Sequence, residues 1–209
     1  MKIVCFGDSI TWGAWDSQGG WVTRLRKKTD QICIQSGIEK FILLYNLGIS
    51  SDTSERVLAR MQLEISARAL EEGDFAFLVS LGTNDSTWLR HEQRYRIELE
   101  QFTRNMTDIV TVAKQYSDQI ALIGSTGVDE TKTRPYSWDA SVESSNVDIQ
   151  RYDKASEGVA AQTGVAFIPI FDAFMANDPV SMLLDGVHPN DRGHEFLANR
   201  IWPTVSNWI

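Results

Sequence analysis

The chain opens with Met-Lys-Ile-Val-Cys-Phe-Gly-Asp-Ser-Ile-Thr-Trp-Gly-Ala-Trp, residues 1–15. An apolar run, Ile3 to Phe6, stops at the small polar trio Gly7-Asp8-Ser9. Such a run reads as a strand buried on both faces, and the trio reads as a turn. Alone, the trio fits a turn in which Ser9 caps the next helix. The alternative is that Ser9 is displayed at the end of a strand to do chemistry, and the rest of the chain decides between them.

Four further runs resemble the first: Phe41–Leu47, Phe75–Leu81, Ile120–Ile123 and Val165–Ile170. They are rich in Val, Ile, Leu and Phe and lack strict alternation, as strands of a parallel sheet do. Helical patterns separate them. Asp52 followed by Glu55 predicts a cap with its reciprocal partner, after which Leu58, Met61 and Ile65 share one face and Gly73 ends the helix. Phe102, Met106, Ile109 and Ala113 form a second stripe. Tyr152, Ala155 and Val159 form a third, ending at Gly164, and Phe196, Leu197 and Ile201 a fourth that begins after Pro189-Asn190. Strand and helix alternate, which predicts a three-layer α/β/α sandwich around a parallel five-stranded sheet, built as one domain over residues 1–209. Residues 125–148 are the least regular, and a loop of that length is expected to border a functional site.

Composition narrows the function. The chain has 209 residues, 43% hydrophobic and 23% charged, an ordinary balance for a domain that buries roughly 70% of its unfolded surface. A net charge of -8 without a basic run argues against nucleic-acid binding and against tight association with anionic membranes. The two cysteines, Cys5 and Cys33, read as reduced core residues, and neither a CxxC pair nor zinc spacing occurs. The start of the sequence has no leader pattern, and no apolar run approaches the ~20 residues of a membrane span. The expectation is a soluble cytoplasmic protein.

In an open parallel sheet, ligands bind beyond the carboxyl ends of the strands. Four stretches follow predicted strands: Gly7-Asp8-Ser9, Asn46-Leu47-Gly48, Gly82-Thr83-Asn84-Asp85 and, further on, Asp185-Gly186-Val187-His188-Pro189-Asn190. Their chemistry is that of a serine hydrolase. Ser9 supplies a hydroxyl, which is a weak nucleophile until a base takes its proton. His188 is the candidate base, and Asp185, three residues earlier, can accept its Nδ1–H and fix the tautomer. The backbone N–H groups of Ser9 and Gly48 and the side-chain amide of Asn84 are the candidate oxyanion donors.

These four blocks, in this order, resemble the SGNH hydrolases, also called GDSL-type esterases and lipases. The resemblance spans residues 7 to 190. It implies a flavodoxin-like sheet and ester hydrolysis through Ser9, Gly48, Asn84 and His188, with Asp185 as the third triad member. The first block departs from the family's name only in Ile10, where Leu is usual. The absence of a G-x-S-x-G elbow counts against an ordinary α/β-hydrolase.

Several residues have plainer readings. Asp8 and Asp85 are expected to brace their turns, and His91 and His194 to lie on the surface. Trp12 and Trp88, each just after a catalytic block, either wall an acyl or sugar pocket or cover the sheet edge, and Trp15 and Trp138 share that ambiguity. Trp202 and Trp208 are expected to pack. No phosphate loop or metal-ligand pattern occurs, so neither cofactor nor metal is expected and the partner is a small-molecule ester. The competing classes are a flavodoxin-like binding module without turnover, and an acyltransferase or thioesterase using the same triad.

Overall fold

β1 (Lys2–Gly7) is buried along its whole length, as its unbroken apolar run requires of a central strand. In a computed structural model that describes residues 1–69 and 74–209, the chain continues through α1 (Ser9–Trp12), α2 (Gly20–Gln35), β2 (Leu43–Gly48), α3 (Ser54–Arg68) and β3 (Phe75–Ser80). Two short strands follow, β4 (Trp88–Leu89) and β5 (Arg94–Tyr95), and then α4 (Leu99–Lys114), β6 (Ile120–Ile123), α5 (Glu130–Thr133) and β7 (Val142–Glu143). The chain ends through α6 (Asn146–Thr163), β8 (Ala166–Ile168), α7 (Phe171–Met175), a 3-10 turn at Pro179–Met182 and α8 (Asp191–Ser206).

The main sheet has the order β2-β1-β3-β6-β8 and is parallel throughout. This is the flavodoxin-like order, with its switch point at β1. Gly7 pairs with Gly48 on one side and with Ser80 on the other, so three strands finish level. That register gathers the first three polar stretches at one edge.

Alternation along β1 separates two cores. Ile3 and Cys5 point to the layer of α2 and α8, with Trp21, Leu25, Leu197 and Ile201. Val4 and Phe6 point to the layer of α3, α4 and α6, with Met61, Ile65, Phe102 and Ile109. Cys5 and Cys33 are both buried and free. Trp202 and Trp208 pack against the first of these cores.

Three local expectations need correction. Asp52 does not cap α3; Thr53 holds the N-cap position without a side-chain bond, and the Asp52 carboxylate instead pairs with the Arg60 guanidinium at 2.9 Å. The guanidinium sets two N–H groups, Nε and Nη2, on one Asp52 oxygen, where a cap would offer single backbone N–H groups. Gly73, expected to end that helix, lies outside the described residues, which take α3 to Arg68 with Ala69 as its C-cap. His194 is not on the surface but fully buried, because it lies on the α8 stripe with Leu197 and Ile201. It accepts a hydrogen bond from the Trp21 backbone N–H at 3.3 Å, and its Nε2 bonds the Ala14 carbonyl at 3.0 Å. Burial holds that imidazole below the usual histidine range.

The small antiparallel sheet β5-β4-β7 was not expected, because two-residue strands carry no readable period. It ties the 88–95 segment to the irregular stretch after β6. That stretch reaches the sheet edge described next.

Candidate active site

Ser9 stands at the first turn of α1, immediately beyond β1. Asp8 caps that helix through its Oδ1, which accepts the Ile10 N–H at 2.9 Å. The turn is tight enough to need glycine on both sides. A Cβ on Gly7 would sit 2.1 Å from Thr11 Oγ1, and one on Gly48 would sit 2.2 Å from the Trp12 nitrogen. The sheet edge therefore clamps the Ser9 turn by direct backbone approach.

Ser9 Oγ lies 2.9 Å from His188 Nε2, and His188 Nδ1 lies 2.7 Å from Asp185 Oδ2. Asp185 Oδ1 accepts the backbone N–H groups of Val187 and His188 at 3.0 and 2.9 Å. Burial works to raise the Asp185 carboxyl, but the His188 hydrogen bond and the two N–H groups outweigh it and hold the group below the usual carboxylate range. A hydroxyl, an imidazole and an ionised carboxylate in this chain can pass a proton from Oγ to the ring and stabilise the cation formed.

Gly48 has a different place from the one expected of it. Its N–H donates to Asn46 Oδ1 at 2.9 Å, and it does not line the cavity beside Ser9. Ser51, three residues on, does line it, in a left-handed backbone conformation with φ 65°. Neither the Ser51 nor the Ser9 N–H donates to a protein acceptor among the described residues. Asn84 also lines the cavity, where its Nδ2 reaches the Asp52 carbonyl at 3.0 Å and Asp8 Oδ2 at a longer 3.3 Å.

The cavity has a volume of about 410 Å³. Trp12 and Trp88 are not among its lining residues. Trp12 is exposed, and Trp88 packs edge-on against Tyr95 at 5.0 Å. The aromatic walls come instead from Trp15 and from Tyr136 and Trp138, whose rings stack at 4.9 Å. Arg96 and Asp139 complete that side. The irregular segment thus borders the cavity, but nothing in its sequence singles out Arg96, on a separate strand end, as its neighbour. His91 stays at the surface and does not reach the site.

Asp8 and Asp85 brace the site, as their turn positions suggested. Asp85 Oδ1 accepts both the N–H and the hydroxyl of Ser54, at 2.9 and 2.6 Å, and so anchors the start of α3. Burial pushes the carboxyls of Asp8, Asp85 and Asp153 up to about 6 from an ordinary 3.8. A raised folded-state value means that the folded chain binds more protons than the unfolded one between about 4 and 6, so stability rises as pH falls through that window. Asp16 and Asp185, held low, oppose this only below the ordinary carboxylate value, and buried His194, held low, offsets part of it as pH falls below the ordinary histidine value. Melting at pH 5 is expected to occur above melting at pH 8, by a free energy on the order of 1–3 kcal/mol. A melting temperature that falls steadily from pH 8 to pH 5 would contradict the assignment.

The family model of GDSL-like lipases and acylhydrolases matches residues 5–196. The chain belongs to this GDSL-like family. It is accordingly a hydrolase that acts on ester bonds. The isoamyl acetate-hydrolyzing esterase 1 homolog of Rattus norvegicus is 25% identical over 220 aligned positions, covering 100% of this chain and 82% of that protein. The lipase/acylhydrolase from Enterococcus faecalis superposes with a TM-score of 0.75 at 23% identity, over 99% of this chain and 95% of that one. An acetylxylan esterase from Geobacillus stearothermophilus gives 0.75 at 20% identity, over 98% and 93%. The two structural likenesses bear on the fold alone. Among the described residues, no helix of this GDSL-type chain is long and apolar enough to cross a membrane.

Proposed function

We propose that the protein hydrolyses small acyl esters, acetyl esters foremost, through an acyl-enzyme on Ser9. The observation that carries this reading is the continuous hydrogen-bonded chain from Ser9 Oγ through His188 to Asp185. His188 takes the Ser9 proton as Oγ attacks the acyl carbonyl, then returns it to the leaving alcohol, and in the second half activates a water. The oxyanion falls to the N–H groups of Ser9 and Ser51 and to Asn84 Nδ2, whose long bond to Asp8 is the one a substrate oxygen would replace. Ser51 takes the part that Gly48 was expected to play.

Arg96 bears on the alcohol half of the ester. Among the described residues its guanidinium has no hydrogen bond or ion pair, whereas every other arginine has one. It faces Asp139 and Tyr136 electrostatically. A simple alkyl alcohol leaves those donors unmet, and an anionic one meets Asp139 and Asp8. A polyhydroxylated ring supplies donors, acceptors and a flat face for Trp138. This supports an acetylated polyol, the class to which the substrate named for the Geobacillus enzyme belongs, over the alkyl acetate named for the rat homolog.

The test is twofold. A fluorophosphonate should add one mass increment on the peptide holding Ser9, and p-nitrophenyl acetate should show a burst. Neither result is expected of a binding module without turnover. Acetylated sugars should then be cleaved with higher kcat/KM than alkyl acetates, and Arg96→Gln should narrow the gap by about tenfold, the scale of one lost charged hydrogen bond. A preference for alkyl acetates that ignores Arg96 would overturn the polyol reading. Acetate recovered only as a new ester would move the reaction to acyl transfer.

A further inference from the structure

Trp15 presents a combination that packing does not explain. The residue is 54% exposed, yet its backbone sits at φ 66°, a left-handed conformation that a bulky residue adopts only when its surroundings impose it. The residues beside it are fastened. The Ala14 carbonyl bonds buried His194, and Asp16 pairs with Arg24 at 2.8 Å while accepting the N–H groups of Gln18 and Gly20. The loop is thus held on either side of a residue in an unfavourable conformation.

That conformation aims the indole at the histidine–aspartate pair. Trp15 Nε1–H donates to Asp185 Oδ2 at 3.0 Å, the same oxygen that receives His188 Nδ1. The indole also meets the imidazole edge-to-face, with ring centres 5.9 Å apart at 77°. We propose that Trp15 is a positioning residue: its indole locks the Asp185 carboxylate and the His188 ring in the one orientation that points Nε2 at Ser9. This rests on the reading of Ser9, His188 and Asp185 as a hydrolytic triad.

Two consequences follow from the shared oxygen. Without the indole N–H, the carboxylate and ring lose a lateral restraint, so fewer molecules hold the reactive geometry. Oδ2 also loses one of two donors and keeps more negative charge for the imidazolium, which favours the protonated ring. The other groups that face this pair are Asp8 in the β1–α1 turn, His194 on α8, and Tyr136, Arg96 and Asp139 on the cavity wall. The substitution leaves all of them in place, so a shift reports on the indole.

The experiment measures kcat and KM for p-nitrophenyl acetate against pH in the full-length protein. Trp15→Phe keeps an aromatic ring and removes the N–H. Its kcat should fall about three- to tenfold with KM changed less than twofold, and the acid limb of its kcat/KM profile should move upward by about half a pH unit, the scale of one modest hydrogen bond. Trp15→Gly suits the left-handed backbone, so it should show the same upward move without a lower melting temperature. A profile for Trp15→Phe that superposes on wild type, or one in which only KM changes, overturns the proposal. So does a Trp15→Gly protein that melts earlier but turns over normally, since that marks a merely structural side chain. Ser9→Ala separates the two readings. If it remains active, the triad and the Trp15 role both fall, whereas a Ser9-dependent enzyme with an unmoved acid limb loses only the Trp15 role.

Discussion

Ser9→Ala is expected to lower kcat by about 10⁴ or more while leaving the fold intact. Among the described residues Ser9 Oγ has a single partner, His188 Nε2, so its loss removes the proposed attacking atom and little else. The residue is small and buried, and the replacement leaves its backbone in place. Some acceleration over water should persist, because the cavity and the proposed donors on Ser51 and Asn84 remain. Hydrolysis of p-nitrophenyl acetate, measured beside a thermal melt, checks both halves. A variant within tenfold of wild type would place the nucleophile elsewhere.

Asp185→Asn is expected to cost about 10³–10⁴ in kcat by putting the wrong tautomer on His188. The amide has the size of the carboxylate, and its oxygen can retain the N–H groups of Val187 and His188 at the Oδ1 position. Its NH₂ then faces His188 Nδ1, which must become an acceptor, so the ring proton moves to Nε2. A protonated Nε2 cannot take the proton of Ser9. The Trp15 indole N–H meets the same NH₂ and loses its acceptor. Steady-state kinetics at pH 8 reads the effect, and a loss of less than tenfold would mean that His188 works without an orienting carboxylate.

Much of the architecture can be read from residue order, for a physical reason. Strands buried on both faces must be continuously apolar, so Ile3–Phe6 and Ile120–Ile123 stand out, and Gly164 ends α6 where a helix needs a left-handed residue. At the site, residues fixed by strand ends were easier to find than residues fixed by tertiary contact. Ser9, Asn84, Asp185 and His188 each lie close after an element boundary and share one cavity. Glycine suggests both an open donor and a close approach, and at Gly48 the close approach is what the fold uses, since its N–H is on Asn46 and a Cβ would strike the Trp12 nitrogen. Ser51 had a signal, a small residue three positions beyond a strand, which the glycine overshadowed. Trp12 and Trp88 drew attention by proximity in sequence, whereas Trp138 and Arg96 reach the cavity through the small sheet and the irregular segment. His194 was legible from its α8 spacing, but its polarity suggested the surface.

The bond between Ser9 and His188 joins positions 179 residues apart. The hydroxyl follows β1 and the imidazole precedes α8, so every other strand of the main sheet is synthesised between them. Contacts of such separation form late, after the intervening loops have closed. A nascent chain therefore carries Ser9 without the partner that would activate it. On the proposed reading of this pair, reactivity toward esters waits until the segment just before α8 brings His188 to the end of β1.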